Sequence, residues 1–241
     1  TLSNLKHFVK EHEMLKELDH PYILKTTGIC MGTDDHPPAI VFEHFILTLD
    51  KFMRNYKLSK IDAFRLILII AEGMKYVHFS RIIHRNLNPK NIFLTRDKNF
   101  KIGEFGLSKL ISLNEQLTFS IDSALDDIIF VAPELRDAKK YNSKVDVYSF
   151  GVLVIFILNN GILPKNGKKF DYELKIPSTF SKFTTDLIER CLSHDCKIRP
   201  SFEDICNEIK ENYNKIMPLT KAEEDSIRNI IKRSNDKIPN Y

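Results

Sequence analysis

Cysteine is scarce in this chain: Cys30, Cys191, Cys196 and Cys206 are the only four in 241 residues. That is too few for a disulfide scaffold of this size and points to reduced thiols buried in a core. Cys191, His194, Cys196 and Cys206 can be drawn as a zinc set, but their spacing matches no common site, and core thiols near a helix are the favoured reading. Long apolar runs are missing too. The most apolar stretches, Leu66–Ala71 and Val152–Leu158, are far too short to span a bilayer and read as buried helices, so no membrane partner is expected. There is no signal peptide and no Asn-x-Ser/Thr acceptor, which favours a cytoplasmic, intracellular location. Charge of one sign is not concentrated either. Thirty-six basic residues face 32 acidic ones, a net +4 with no basic block. A phosphate-backbone binder wants a basic stripe with aromatic platforms, so nucleic acid is not an expected partner.

What is present is an ordinary globular balance, 43% hydrophobic and 28% charged, with length enough for one substantial core. The first residue is Thr1 rather than Met, and the expectation is a processed, trimmed or excised piece. Apolar positions at Leu5, Phe8, Leu15 and Leu18 predict a helix, ended by Asp19-His20-Pro21 because a residue before proline disfavours helical backbone. Tyr22–Ile29 and Ala39–Phe42 read as strands around a polar loop, Gly32–Pro38. Ser59 and Asp62 form a capping box for a helix running to about His78. Ile92–Leu94 and Phe100–Ile102 read as a hairpin, and Val145–Leu158 as a largely apolar helix stopped at Asn159-Asn160-Gly161. Further helices are expected over Thr184–Leu192, Phe202–Ile216 and Lys221–Arg233. The fold class is α+β, mainly α.

At His84-Arg85-Asn86-Leu87, with Asn91 five residues after Asn86, the chain resembles the catalytic loop of eukaryotic protein kinases. Other pieces follow in the family's order: Gly103-Glu104-Phe105-Gly106, then Ala132-Pro133-Glu134, then Asp146 to Gly151, then Arg199-Pro200. One such motif is weak evidence, but five in register are strong. The Gly28–Cys30 and Ser149–Val152 segments are similar to the tyrosine-kinase-like group of serine/threonine kinases.

That resemblance implies three parts: a partial amino-terminal lobe over 1–43, a helical carboxy-terminal lobe over 44–217, and a helical extension over 218–241. It implies ATP and Mg²⁺ as cofactors and protein partners. It also carries residue roles. Glu11 takes the place of the helix glutamate that pairs with a strand lysine, Phe42 that of the gatekeeper, and Glu43, His44 and Phe45 that of the interlobe hinge. Asn91 stands as second-metal ligand. Glu134 and Arg199 match a buried ion pair, Asp146 the brace of the catalytic loop, and His84, Phe105 and Leu15 an apolar stack between lobes. Arg85 is the arginine that pairs with a phosphorylated activation segment in some members, or serves as scaffold; the segment here holds Ser108, Ser112, Thr118, Ser120 and Ser123.

Several chemical parts are replaced. The catalytic-loop aspartate that accepts the substrate proton is Asn86, whose amide cannot take a proton at neutral pH. The lysine that steadies the transferring phosphoryl group is Asn88. The metal-holding aspartate is Glu104, one methylene longer, whereas Mg²⁺ demands tight octahedral distances. A Gly-rich loop and strand lysine are not in the sequence, and helix G is expected to be short or missing around Lys165–Lys169. The reading is a signalling pseudokinase acting through protein interactions. The alternatives are a low-activity serine/threonine kinase and an ATP-binding sensor without transfer.

Overall fold

The computed structural model describes residues 9, 12, 13, 15–33, 36–105, 109–110, 128–137, 140–166 and 173–237. Strands β1 (Thr26–Cys30) and β2 (Ala39–Phe42) pair antiparallel with an irregularity between Thr26 and Gly28. A second, three-stranded antiparallel sheet has the order β3-β5-β6, built from Phe45–Thr48, Ile92–Thr95 and Phe100–Ile102. Two-residue strands β4 (Ile82–Ile83) and β7 (Lys109–Leu110) pair, as do β8 (Lys165–Asn166) and β9 (Glu173–Leu174). The helices are α1 (Leu49–Asn55), α2 (Lys60–Phe79), α3 (Pro133–Arg136), α4 (Lys144–Leu158), α5 (Lys182–Cys191), α6 (Phe202–Glu211), α7 (Tyr213–Ile216) and α8 (Lys221–Lys237). Small sheets beside a larger helical body bear out the α+β, mainly α expectation.

Helix α2 starts as its sequence dictates: the Ser59 hydroxyl accepts from Asp62 N–H, satisfying one of the orphan donors of the first turn. Phe64, Leu68, Ala71, Met74 and Val77 then line its buried face. Helix α4 is buried nearly all round, from Val145 to Ile157, and packs against α2 and α5. It ends with Asn160 and Gly161 both at positive φ, 53° and 82°. Gly73 lets α2 approach the Tyr22 segment and β6, because a Cβ there would lie 2.8 Å from Ile102 Cδ1.

Four sequence expectations need correction. Tyr22–Lys25 is not strand; it forms a turn and a parallel bridge, Ile23 to Ile102, secured by Leu24 N–H on Ile102 O at 2.7 Å. The helix expected over 202–216 breaks at Asn212, whose backbone N–H and side-chain Nδ2 both donate to the Glu208 carbonyl, at 3.0 and 3.1 Å. Helix α8 runs to Lys237 rather than Arg233. Cys191 and Cys206 are core thiols as expected, but Cys30 is exposed and Cys196 only half-buried. The amino-terminal helix is seen at Val9, His12, Glu13, Leu15 and Lys16, and Leu15 is buried in the main core; Glu11 lies outside the described residues. Between Gly161 and Ser181 the described residues contain no helix.

Candidate active site

The loop joining β4 to β5 is held from below by one carboxylate. Asp146, in the first turn of α4, is fully buried. Its Oδ2 accepts from the backbone N–H of His84 at 2.9 Å and its Oδ1 from that of Arg85 at 2.8 Å. His78 Nε2, at the end of α2, meets Oδ2 at 2.8 Å. Three partners compensate the burial of a charge that would otherwise be costly. Asp146 thus brings together two helices and the loop, and it can hold Arg85 at φ 64°, a left-handed conformation that costs a non-glycine residue free energy.

A second brace crosses to the neighbouring loop. His84 is fully buried, its Nε2 lies 3.0 Å from Gly103 O, and its ring sits 4.6 Å from that of Phe105. Burial pushes the His84 imidazole below its ordinary pKa, with Asp146 opposing, so the ring is neutral at neutral pH. The next residue, Glu104, is exposed and also left-handed, at φ 60°. Leu15 and Phe105 are both buried in the main core cluster.

Between these braces lies an amide network. Asn88 Nδ2 donates to Asn86 Oδ1 at 2.8 Å and to Asn86 O at 3.1 Å. Asn91 Nδ2 donates to the same Asn86 O at 2.7 Å. Asn88 Oδ1 accepts from Lys90 N–H, capping the short 3-10 turn Pro89–Asn91. Gly103 N–H donates to Asn91 O at 3.0 Å, which ties the network to the Glu104 loop.

The residues expected at the hinge are placed differently from one another. Glu43 has its carboxylate on Lys101 Nζ at 2.7 and 2.8 Å, and on the backbone N–H of Lys25 at 2.7 Å. Phe42 is half-buried and packs against the main core. Phe45 does not lie in the link; it opens β3, is 40% exposed, and rests 4.6 Å from the Phe93 ring. His44 is exposed.

Further down, Arg199 is buried and meets Glu134 through two nitrogens, Nη1 to Oε1 at 2.6 Å and Nη2 to Oε2 at 2.9 Å. Its remaining donors reach Ser193 O and Lys144 O. This fork-on-carboxylate geometry is the strongest form of ion pairing. Arg85 Nη1 donates to Tyr141 Oη at 3.0 Å. Ser108, Ser112, Thr118, Ser120 and Ser123 lie outside the described residues. Sequence reasoning missed His78, Tyr141 and Lys101 as partners; each sits more than fifty positions from the residue it serves, with no local pattern to betray it.

A family model described as protein tyrosine and serine/threonine kinase matches residues 1–209. The chain belongs to the protein kinase family. It is 33% identical over 224 residues to a probable serine/threonine-protein kinase of Dictyostelium discoideum, covering 86% of this chain and 23% of that protein. It is 30% identical over 246 residues to the dual specificity protein kinase pyk3 of the same organism, covering 95% of this chain and 17% of the relative. Against the tyrosine-protein kinase SYK of Gallus gallus it is 29% identical over 205 residues, 80% of this chain and 33% of that kinase. The chain therefore spans a third or less of the length of these relatives. Among its described residues no helix is long and apolar enough to cross a membrane.

Proposed function

We propose that this kinase-family domain is a pseudokinase: a signalling module that works through protein partners, with phosphoryl transfer lost or strongly reduced. The observation that carries the reading is the state of Asn86. The residue at the base position is an amide, and its side-chain oxygen already accepts from Asn88 Nδ2 at 2.8 Å. A substrate hydroxyl would have to compete with that donor for the oxygen, and the amide would still not take the proton. Loss of a positioned base costs on the order of 10²–10⁴ in rate. Asn88 itself brings no positive charge to the phosphoryl group, whose stabilisation is mostly electrostatic.

The residues present do not fit a well-held Mg²⁺. Among the described residues no group of three or more His, Cys, Asp or Glu side chains converges on one point. The candidate ligands are one exposed carboxylate, Glu104, and one neutral amide oxygen, that of Asn91. That is a weak donor set for an ion that demands an ordered octahedron. Glu43, the hinge acid, has its carboxylate engaged by Lys101 and Lys25. We read ATP binding as correspondingly weak, and the three-part division at 43/44 and 217/218 as the organisation that presents partner surfaces.

The fold-holding contacts support a retained scaffold. Asp146 and His84 hold the 84–91 loop, His84 packs on Phe105, and Glu134 and Arg199 form a separate buried pair. The same contacts favour a second reading, a slow serine/threonine kinase, because the loop is pre-organised and relatives bear kinase names. Phosphotransfer to generic Ser/Thr substrates separates them, measured on the full-length protein. The pseudokinase reading expects negligible transfer by the wild type, and more from Asn86→Asp with Glu104→Asp than from either change alone, since these groups act as a unit. Wild-type turnover near ~1 s⁻¹, the low end for kinases, would overturn it.

A further inference from the structure

Helix α8 lies beyond the matched family segment and packs on α2 through the fully buried Ile227. Where the two helices meet the Tyr22 turn they leave a cleft of about 130 Å³. Its polar wall has four members: Arg65 from α2, Arg233 and Ser234 from α8, and Tyr22. Leu68 and Ile230 supply an apolar side. No acidic side chain lines it.

Ser234 is only 2% exposed, yet its hydroxyl has no hydrogen-bond partner. A buried hydroxyl left unsatisfied costs about 1–3 kcal/mol, so its persistence calls for an explanation. The Tyr22 phenol is raised above its ordinary pKa, chiefly by burial; the nearby Ser234 hydroxyl and the Arg65 guanidinium pull the other way, and Glu72 adds to the rise. Tyr22, Arg65 and Ser234 line the same cleft, and the Tyr22–Ser234 approach does not complete a hydrogen bond. Glu72 is engaged by Lys210 in an ion pair and does not line the cleft. Arg65 uses Nη2 on Asn99 Oδ1 at 2.7 Å. Among the described residues Arg233 has neither a hydrogen bond nor an ion pair.

Two guanidinium groups and two hydroxyls, with no carboxylate among the lining residues, form an anion site. A carboxylate offers two oxygens and is satisfied by a single fork, leaving the hydroxyls idle. A phosphoryl group offers three oxygens and a double charge, enough to engage all four side chains. We propose that this cleft binds a phosphate monoester, with its oxygens on Arg65, Arg233, Tyr22 and Ser234 and its organic portion toward Leu68 and Ile230. The site is separate from the Asn86–Asn88–Asn91 network, so its existence does not depend on whether the domain transfers phosphate.

The experiment titrates inorganic phosphate into the full-length protein at low ionic strength, read by calorimetry and by the rise in melting temperature that native-state binding enforces. The expected result is saturable one-to-one binding below about 20 mM. Arg65→Gln and Arg233→Gln, both at exposed positions that do not threaten folding, each weaken it about tenfold, and Ser234→Ala weakens it by several-fold. O-phosphoserine and a phosphoserine heptapeptide then distinguish the source. Tighter binding of the peptide identifies a phosphorylated protein side chain, and equal binding a free phosphate ester. No saturable uptake by the wild type, or equal affinity in wild type and the Arg65→Gln/Arg233→Gln double variant, overturns the proposal.

Discussion

Asn88 Nδ2 donates to Asn86 Oδ1 at 2.8 Å, so the amide proposed for the base position is held by the amide two residues on. The contact makes a prediction about stability that differs from the usual cost of an active-site change. Asn86→Asp keeps the acceptor oxygen and converts the contact into a charge-assisted one, about twice as strong as its neutral counterpart. The substitution is expected to leave stability unchanged or raise it by up to about 1 kcal/mol. Urea denaturation at pH 7 measures this; a loss of stability would mean that a backbone carbonyl or another acceptor faces the new carboxylate.

Asp146 predicts the opposite behaviour. Asp146→Asn exchanges one of two acceptor oxygens for an NH₂ group that meets the N–H of His84 or Arg85 head-on. A loss of about 3 kcal/mol or more is expected, because buried donors are left unsatisfied. Hydrogen exchange locates the damage: the His84 and Arg85 amides should lose protection before those of α4. Uniform loss across the domain would assign Asp146 to global packing instead.

The Glu134–Arg199 pair supplies a third test. Arg199→Met leaves Glu134, 15% exposed at its side chain, without its cation and is expected to cost about 3–5 kcal/mol. Glu134→Leu combined with Arg199→Met should cost less than the single arginine change, since no charge is then stranded. Equal costs for the single and double variants would show that the Ser193 and Lys144 carbonyl contacts, rather than the ion pair, dominate.

Much of this was legible in the sequence where local rules act alone. The Ser59 cap, the Asn160-Gly161 stop and the β5–β6 hairpin are set by residues within a few positions of one another, and each forms as its pattern implies. Position in the motif series singled out Asp146, His84, Glu134 and Arg199, and each has a buried partner far away in the chain. What stayed hidden depends on long-range packing. Strand β3 and helix α1 follow the hinge where the sequence shows only a short apolar stretch, and Phe45 joins β3 because Phe93 and Thr95 offer it a partner strand. The tie between Glu43 and Lys101 spans 58 positions, beyond any periodicity argument. Tyr22–Lys25 has the branched composition of a strand, yet the close passage of α2 at Gly73 and the bridge at Ile23 hold it as a turn.

The last prediction concerns acid sensitivity. His20 is 5% exposed, stacks on Tyr76 with ring centroids 4.9 Å apart, and accepts from the Tyr22 N–H through Nδ1 at 3.2 Å. Protonating Nδ1 destroys that acceptor and charges a buried ring. Burial lowers the His20 pKa to about 4, with Asp19 opposing only in part. The folded value lies below the unfolded one, so below pH 6.5 the unfolded chain binds the proton first and stability falls as the pH drops. Between pH 7 and pH 5 this one residue is expected to remove about 2 kcal/mol, growing to about 3 kcal/mol near pH 4. His84, also lowered by burial, adds to the loss in the same direction. His20→Gln keeps an acceptor but cannot titrate, so its stability should change less with pH than that of the wild type, by about 2 kcal/mol across pH 7 to 5. Parallel stability–pH curves for the two proteins would show that His20 is not the acid-sensitive group and would move the assignment to His84.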